Sequence, residues 1–282
     1  IPPSAILVIY AIIVEESVGR LLLAGFIPGI ISAFVYAAVV FLRVWLNPSL
    51  APTIGVRASW RERIVALKGT SGVLLVIGIV MGGIYLGWMT PTETGAVGAM
   101  VILLMALKRG EMSWADFRAA LTETSKLTVM IFTIIYSILI FVRFLGFSGL
   151  PDHFASWVVN LDVPRVAIFV GIVAMYFVLG MFLDGIGMMM LTLPVVYPAI
   201  IKLGYDPIWF GIVIVKLVEI CLVTPPVGLN CFVVNAVRPD IPLQDVFRGV
   251  WPFVLADLLL LVLLYVYPEI VTFVPNAMLG KG

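Results

Sequence analysis

The sequence predicts an all-α integral membrane protein arranged as an inverted repeat, with a re-entrant hairpin and with helices broken inside the bilayer. The first observation is composition: 62% of the 282 residues are hydrophobic, 12% are charged, and the mean hydropathy is +1.18. Soluble domains carry about 45–50% apolar and about 25% charged residues, so a soluble core could not bury this much apolar surface. The second observation is a proline pair, Pro225-Pro226, inside an apolar run, and the third is a matching pair, Pro2-Pro3, near the start.

Composition also excludes several classes of protein. The net charge of +1 gives no indication of a nucleic-acid partner, and no CxxC, HExxH, GxSxG or phosphate-binding loop is present. The two cysteines, Cys221 and Cys231, lie in apolar segments, so we expect buried free thiols rather than a disulfide. The opening IPPSAILVIY has no charged region typical of a signal peptide, and we expect the chain to be the C-terminal part of a longer polypeptide.

Apolar segments long enough to cross a bilayer need about 20 residues. Four qualify, at 21–46, 70–88, 127–147 and 250–267, and a shorter one lies at 94–107. Two polar segments, 57–68 and 113–126, mix Trp, Leu and Ala with charges at helical spacing. They predict amphipathic helices at the membrane interface, with short soluble loops as the alternative.

The orientation of these spans follows from the basic residues, which collect on the cytoplasmic side of membrane proteins. Two connections separated by two crossings are rich in Lys and Arg, so both are predicted to be cytoplasmic. The connections at 15–20 and 149–164 are then outside, and His153 is expected in an outer loop. The basic residues of the two connections are Arg43, Arg57, Arg61, Arg63 and Lys68 in the first, and Lys108, Arg109, Arg118 and Lys126 in the second.

From residue 166 to residue 234 the chain stays apolar but is punctuated. Residues 165–203 are either two full crossings or the two arms of a re-entrant hairpin. The Asp184-Gly185 turn favours the hairpin, because an aspartate at this depth is tolerated only where it lines protein or water. Residues 208–237 then form a helix broken at Pro225-Pro226, and the last helix leaves toward the outside.

An internal repeat is visible around the two proline pairs. Each pair is followed by an apolar half-helix, a short polar stretch and a G-x-x-P sequence. Gly25 follows Pro3 by 22 residues, and Gly249 follows Pro226 by 23. The first half-helix ends outside and the second inside, so the copies run in opposite directions. Inverted repeats with interrupted helices are typical of secondary transporters, with the binding site where the copies meet.

Each proline pair ends the hydrogen-bond ladder of a helix and leaves carbonyl oxygens without partners. Such oxygens suit a hard monovalent cation, while the N–H groups of the following half-helix suit an anionic group of a substrate. Ser4, Thr224 and Asn230 add side-chain oxygens beside the breaks. A simple helix kink is the alternative at each proline.

Acidic residues near these breaks have two readings each. Asp184 either caps a helix or serves a cation, and Glu219 either pairs with Lys216 or lines a polar path. Glu93 is expected to complete a T-x-x-E helix cap, with a site residue as the alternative. Asp184 and Glu219 are expected to be the only acids at mid-membrane depth, with no histidine beside them, which argues against a membrane-embedded enzyme.

The chain resembles a known family, the large membrane (M) subunit of tripartite ATP-independent periplasmic (TRAP) transporters of the dicarboxylate type. The segments that carry the resemblance run through nearly the whole chain in one order. They are IPPS at 1–4, AGFIPG at 24–29, GWMTPTETGAV at 87–97, GMFLDGIGMMMLTLPVVYP at 180–198, GYDPIWFGI at 204–212 and TPPVGLNCFVV at 224–234. The hairpin of the family's first repeat is not present.

The resemblance implies a sodium-driven elevator in the bacterial inner membrane. It implies transport of a small organic acid, such as a C4-dicarboxylate or a sialic acid, and two partners: a periplasmic binding protein and a small four-helix membrane subunit. It also implies domains: 1–14 as a half-helix of the transport domain, 15–126 as scaffold and interfacial arms, 127–249 as the second transport repeat, and 250–282 as a final scaffold helix and tail.

Site residues also follow from the resemblance. Sodium is expected in two places, one at the second hairpin and broken helix and one at the first proline pair. Substrate is expected between them. The sodium residues are Gly180, Asp184, Thr224, Pro225, Val227 and Gly228 at one site and Pro2, Pro3 and Ser4 at the other; the substrate residues are Ser4, Asp184, Gly185, Thr224 and Asn230.

Other functions stay open on the sequence alone. A related elevator, such as a sodium–dicarboxylate symporter that needs no binding protein, fits the broken helices equally well. A passive channel fits less well, because interrupted helices in inverted copies suit alternating access better than an open pore.

Overall fold

The structure, a computed structural model, describes residues 4–51, 59–110 and 112–280. In these ranges the chain forms thirteen α-helices and one short 3-10 helix, and no strand. The helices are α1 (Ala5–Val14), α2 (Val18–Ala24), α3 (Phe26–Leu46), α4 (Trp60–Tyr85), α5 (Pro91–Arg109), α6 (Trp114–Ser148), α7 (Leu150–Val159), α8 (Arg165–Gly180), α9 (Gly185–Lys202), α10 (Pro207–Cys221), α11 (Leu229–Val237), α12 (Leu243–Val266) and α13 (Glu269–Leu279), with the 3-10 helix at Pro48–Leu50.

Several of these helices can cross a bilayer. By length and apolar composition there are five among the described residues, or six if the bent α4 is counted as one span. Their surfaces are apolar and open: only 6% of the most apolar stretch of Trp114–Ser148 is buried inside the protein. Such a surface is stable against lipid rather than water. The prediction of an all-helical integral membrane protein is confirmed.

The spans differ in detail from the predicted ones. The segment 21–46 begins at Val18 and is divided at Gly25 into α2 and α3. The segment 94–107 is a full α5, because Thr90 and Glu93 form a reciprocal capping box that starts the helix three residues earlier. The predicted cap at Glu93 is therefore confirmed.

The two predicted interfacial helices have different outcomes. Residues 60–67 are helical and are set off from 69–84 by a bend of 51° within α4, while positions 57 and 58 lie outside the described residues. Residues 113–126 are not a separate element, which corrects the prediction. They are the first turns of α6, a continuous helix of 35 residues, because nothing between Lys126 and the apolar run breaks the hydrogen-bond ladder.

The chain divides into two compact units. One comprises residues 51–140, in which α4 packs against α5 through small residues: a Cβ on Gly98 would lie 3.1 Å from Val80. The other comprises 1–50 and 141–282 and contains both regions around the proline pairs. The predicted division into scaffold and transport domain stays a prediction.

Helix α10 is the centre of the larger unit. Every residue from Ile208 to Cys221 except Glu219 is buried, and α10 packs against α1, α2, α8, α9, α12 and α13. Two hydrogen bonds fix its first turn: the Trp209 Nε1–H donates to Leu264 O at 2.8 Å, and the Tyr10 hydroxyl donates to Pro207 O at 2.8 Å. These bonds hold the N-terminal end of α10 in a defined position.

Helices α8 and α9 follow one another across a short turn and pack together, as the hairpin prediction requires. Helix α7 occupies much of the segment 149–164 and packs extensively on α9, so this segment is not the loop that was predicted, and His153 lies within a helix. Its location on the outer side stays a prediction. The predicted tail also contains a helix, α13, which packs against α2 and α3. Both helices are short, so hydropathy alone did not indicate them.

The internal repeat stays a prediction. A short helix, α1 or α11, and then a polar link follow the position of each proline pair, and the link leads to α2 and α3 in one copy and to α12 in the other. The copies differ at the aligned glycines, because Gly25 separates two helices whereas Gly249 lies within the continuous α12. The opposite direction of the copies stays a prediction.

Candidate functional site

The second break, residues 222–228, separates α10 from α11 as predicted. Asn230 N donates across it to Leu222 O at 3.0 Å, and the Thr224 hydroxyl ties the start of the break to α10 by donating to Ile220 O at 2.7 Å. Gly228 ends the break in the left-handed region with φ of 53°, where a side chain is strained. The break is therefore a defined turn rather than a kink in a continuous helix.

Backbone carbonyls at the centre of this break are unpaired. In the described part of the chain, no hydrogen bond reaches the carbonyl oxygens of Thr224, Pro225, Pro226 or Val227. The Thr224 side chain is fully buried, whereas Pro226 is exposed. An unpaired carbonyl at membrane depth costs several kcal/mol, so these oxygens require a partner such as water or an ion.

The tip of the hairpin lies directly against the end of α10. A Cβ added to Gly180 would be 2.4 Å from Cys221 Sγ, and one added to Gly185 would be 2.2 Å from Val218 Cγ1. Such distances leave room for glycine alone. The hairpin turn and the second break, predicted to share a site, are thus close to each other through Val218 and Cys221.

Asp184 caps helix α9. Its carboxylate accepts a hydrogen bond from Gly187 N at 2.9 Å, and its side chain is exposed. Of the two readings of this residue, the capping role is therefore present. A role in cation binding stays a prediction.

The first break falls partly outside the described residues, since Pro2 and Pro3 precede them. Ser4 is described: it is the N-cap of α1, and its hydroxyl oxygen accepts a hydrogen bond from Leu7 N at 3.4 Å. Ser4 also lines a cavity together with Glu219, so the start of α1 lies near the last turns of α10. Asn230, another predicted substrate residue, has an exposed side chain on the first turn of α11.

This cavity has a volume of about 420 Å³ and lies within the larger unit. Its polar lining comes from α1, α3 and α10, and its remaining wall is formed by small and apolar residues. The polar residues that line it are Ser4, Ser32, Tyr36, Lys216 and Glu219.

A cluster of charged groups forms one wall of the cavity. The Lys216 ammonium is 3.1 Å from Glu219 Oε2 and 2.9 Å from Asp257 Oδ1. The Tyr36 hydroxyl donates to Asp257 Oδ2 at 2.6 Å and accepts from Lys216 Nζ at 3.2 Å. The predicted pairing of Glu219 with Lys216 is confirmed, and Glu219 also lines the cavity, while its role in a polar path stays a prediction.

Asp257 corrects the expectation that Asp184 and Glu219 are the only acids at membrane depth. It lies within the apolar α12 and is only 5% exposed. The signal was present in the sequence, since a single aspartate in LADLLLLVLLYV is expensive in a bilayer and requires a partner. Tyr36 was missed for a different reason: a tyrosine in an apolar helix usually indicates packing.

Other predicted features near the site are confirmed. Cys221 and Cys231 are buried free thiols. The Cys231 thiol lies 3.5 Å from Val223 O, at the edge of the second break. Beyond α11, the hydrogen bonds of the Arg238 guanidinium lower the pKa of the Asp240 carboxyl and pair the exposed charges that follow this helix.

These features together define a class of protein. The chain is a polytopic helical membrane protein with a broken helix whose first half is buried, a glycine-containing hairpin packed against that half, and a cavity between helices that is lined in part by polar side chains. A sequence model of one family, described as "Tripartite ATP-independent periplasmic transporter, DctM component", matches residues 1–270. The chain belongs to this family, which confirms the resemblance.

Characterised relatives cover almost the whole chain. It is 33% identical over 279 residues, 98% of the chain, to the C4-dicarboxylate TRAP transporter large permease protein DctM of Pseudomonas aeruginosa. It is 29% identical, over 100% of the chain, to the sialic acid TRAP transporter large permease protein SiaM of Vibrio cholerae. It is 31% identical, over 97% of the chain, to the ectoine TRAP transporter large permease protein TeaC of Halomonas elongata.

The chain spans less than two thirds of the length of these relatives: 64% of the Pseudomonas protein, 65% of the Vibrio protein and 63% of the Halomonas protein. All three are named as transporter permeases and not as enzymes. Their named solutes differ in charge and shape although their identities to this chain are similar. Overall identity therefore does not select among these solutes.

Proposed function

We propose that this chain forms part of a sodium-coupled transporter of a small organic acid, with a cation site at the second break. The observation that carries the proposal is the set of unpaired carbonyls at Thr224–Val227 beside the hairpin tip. Sodium is a hard cation that binds oxygen, and a broken helix presents both carbonyls and a helix end of negative dipole to it.

The proposed cation ligands are the carbonyls of Pro225 and Val227 with the Thr224 oxygens. Gly228, whose carbonyl already accepts from Cys231 N at 2.8 Å, is proposed to shape the turn beside the cation, and Gly180 and Asp184 at the hairpin tip are proposed to complete the site. Thr224 supports this, because its buried hydroxyl uses its hydrogen on Ile220 O and leaves a lone pair available. A second cation is proposed at Pro2, Pro3 and Ser4.

The substrate is proposed to bind next to these cations. The side-chain amide of Asn230, at the start of α11, is proposed to donate to a carboxylate, since the Asn230 backbone N–H is already bound to Leu222 O. Ser4, Gly185 and Thr224 are proposed to complete the contacts. The relatives named for C4-dicarboxylate and sialic acid support an organic acid, and the relative named for ectoine widens the range of solutes.

Transport is proposed to follow the elevator mechanism in the bacterial inner membrane. Two partners are proposed, a periplasmic binding protein that delivers the substrate and a small four-helix membrane subunit. The names of the relatives support this assembly, since all three are components of TRAP transporters. A binding-protein-independent sodium–dicarboxylate symporter of related fold is the alternative, but no relative reported above carries that name.

Uptake into proteoliposomes tests the proposal. The complete permease is reconstituted with the small subunit, and labelled succinate or sialic acid is offered with and without a binding protein. We expect uptake with an inward sodium gradient and none with a proton gradient of equal size. Uptake that does not depend on sodium would contradict the proposed cation site. Uptake without any binding protein would favour the binding-protein-independent symporter.

A further inference from the structure

The Lys216 ammonium is bound by oxygens from three helices inside the larger unit. Glu219 is on its own helix α10, Asp257 is on α12 and Tyr36 is on α3. The side chains of Lys216 and Asp257 are 8% and 7% exposed, whereas Glu219 is 49% exposed on the cavity side. Two N–H groups of the ammonium donate to Glu219 Oε2 and to the Tyr36 hydroxyl, and Asp257 Oδ1 is paired with its charge.

The two carboxylates depend on this ammonium to different degrees. One oxygen of Asp257 accepts the Tyr36 hydroxyl at 2.6 Å, but the other, Oδ1, has no hydrogen bond in the part of the chain that the structure describes. Its neighbour is the Lys216 ammonium at 2.9 Å, close enough for an ion pair without hydrogen-bond geometry. Removal of Lys216 would leave a buried carboxylate without a counter-charge, which a low-dielectric interior does not tolerate.

We propose that Lys216 is a resident counter-ion that occupies the place of a mobile monovalent cation between Glu219 and Asp257. The geometry is that of an oxygen site for one small cation, filled by a tethered ammonium. Without the ammonium, the site recruits a proton or a sodium ion. This inference goes beyond the proposed function, because it concerns a different site from the second break.

Among the described residues, no other cationic side chain contacts the cluster around Lys216. Within the described residues, α1, α2, α8, α9 and α13 place no charged side chain in contact with Lys216, so its titratable neighbours are Glu219, Asp257 and Tyr36. Counted as ionised, the lysine and the two acids carry a net charge of −1. Without the lysine the charge becomes −2, and the drive to bind a cation increases.

The test measures thermal unfolding of the complete purified permease in detergent, so it does not depend on transport. Wild type, Lys216→Met and the control Lys202→Met are compared at constant ionic strength, with sodium replacing choline, and at about pH 7.5 and pH 5.5. Lys202 suits the control because it lies 3.8 Å from Asp152, whose side chain is 86% exposed.

We expect sodium or acid to raise the unfolding midpoint of Lys216→Met by at least about 2–4 °C more than it raises that of wild type or Lys202→Met. The extra rise occurs because the bound cation neutralises the unpaired carboxylate. A rise with sodium alone identifies a sodium site, and a rise with acid alone identifies a proton site. Equal responses of Lys216→Met and wild type to both would overturn the proposal.

A second variant covers the case in which Lys216→Met does not fold. Lys216→Met/Asp257→Asn removes both partners of the buried pair, so the proposal expects recovery of folded yield and loss of the extra cation response. Failure of the double variant to fold would show that the lysine serves packing alone and would contradict the proposal. Sodium-independent uptake by wild type would refute the proposed function, but it would not affect the outcome of this unfolding test.

Discussion

Two interruptions of apolar helices lie side by side in this protein, and they differ in how their backbone is satisfied. The turn between α8 and α9 is short, and Asp184 closes it by accepting the Gly187 N–H at 2.9 Å. The second break, residues 222–228, is longer and leaves four consecutive carbonyls without partners in the described part of the chain. The two share a contact, because Gly180 and Gly185 of the hairpin lie against the end of α10.

In the turn between α8 and α9 a side chain of the protein provides a hydrogen-bond partner for the backbone, whereas the carbonyls of the second break are left to bind water or an ion. A capped helix start has its N–H groups satisfied by a side chain and gains about 1 kcal/mol from it. Unpaired carbonyls at membrane depth have no such source of stability, so a ligand that binds them contributes directly to the folded state. The comparison therefore supports the proposal of a cation at the second break, with the hairpin tip as its neighbour.

The largest effect is expected from Pro225→Ala/Pro226→Ala. The double variant allows the helix to continue and gives the carbonyls helical partners, which removes the proposed cation ligands. Sodium-driven uptake should fall by on the order of 100-fold, because displaced binding groups lose their geometry. The measurement is uptake in proteoliposomes at matched protein content.

Pro252→Ala is the matched control, since Pro252 lies inside the continuous helix α12. We expect it to retain uptake. Wild-type uptake by the double variant would mean that the second break is a kink and that the two interruptions do not differ in function.

A second variant tests the contact between the two interruptions. Gly185→Ala places a Cβ 2.2 Å from Val218 Cγ1, so it should destabilise the protein by about 1–3 kcal/mol through overpacking and should weaken uptake. Val218→Ala removes the clashing methyl group. The double variant should therefore recover much of the unfolding midpoint, and additive losses would show that the tip does not pack on α10.

Thr224→Val tests the side chain at the centre of the break. It keeps the shape but removes the hydroxyl that lies 2.7 Å from Ile220 O. We expect the sodium concentration for half-maximal uptake to rise about tenfold, which is the equivalent of 1.4 kcal/mol.

Thr133→Val is its control, because the Thr133 hydroxyl makes the same kind of bond, to Val129 O at 2.7 Å, far along the chain on the exposed α6. Equal sodium dependence in the two variants would remove Thr224 from the ligand set.

The smallest effect is expected at Asp184. Asn accepts the same N–H bond, so Asp184→Asn should retain stability, whereas Asp184→Ala should lose about 1 kcal/mol of unfolding free energy with its cap. Chemical denaturation of both variants measures this. Uptake of Asp184→Asn at limiting sodium then decides whether the charge also binds the cation. A role as ligand predicts that this variant needs a higher sodium concentration for half-maximal uptake than wild type.

Much of the architecture was predictable because its signals are local. Long apolar runs predicted the spans, the capping pattern at Thr90 and Glu93 predicted the start of α5, and adjacent prolines predicted the second break. Helices α7 and α13 were missed, because a helix of ten or eleven residues that packs on a neighbour is not long enough for a hydropathy signal. The segment 113–126 was misread because charge pattern does not show where a helix continues.

The candidate site was predictable only in part, because only some of its contacts join residues that are close together in the sequence. Glu219 and Lys216 are three residues apart on one helix, so their pairing could be expected from spacing alone. Asp257 and Tyr36 are 41 and 180 residues from Lys216 along the chain, and no pattern joins them.

The sequence by itself determined the membrane environment, the helical class and the position of the second break. These follow from composition and from the missing N–H of proline, which act on residues close together along the chain. The tertiary structure alone decided that the hairpin glycines lie against α10 and that Lys216 meets Asp257 and Tyr36. Those contacts depend on how helices pack, and packing joins residues that are far apart in the chain.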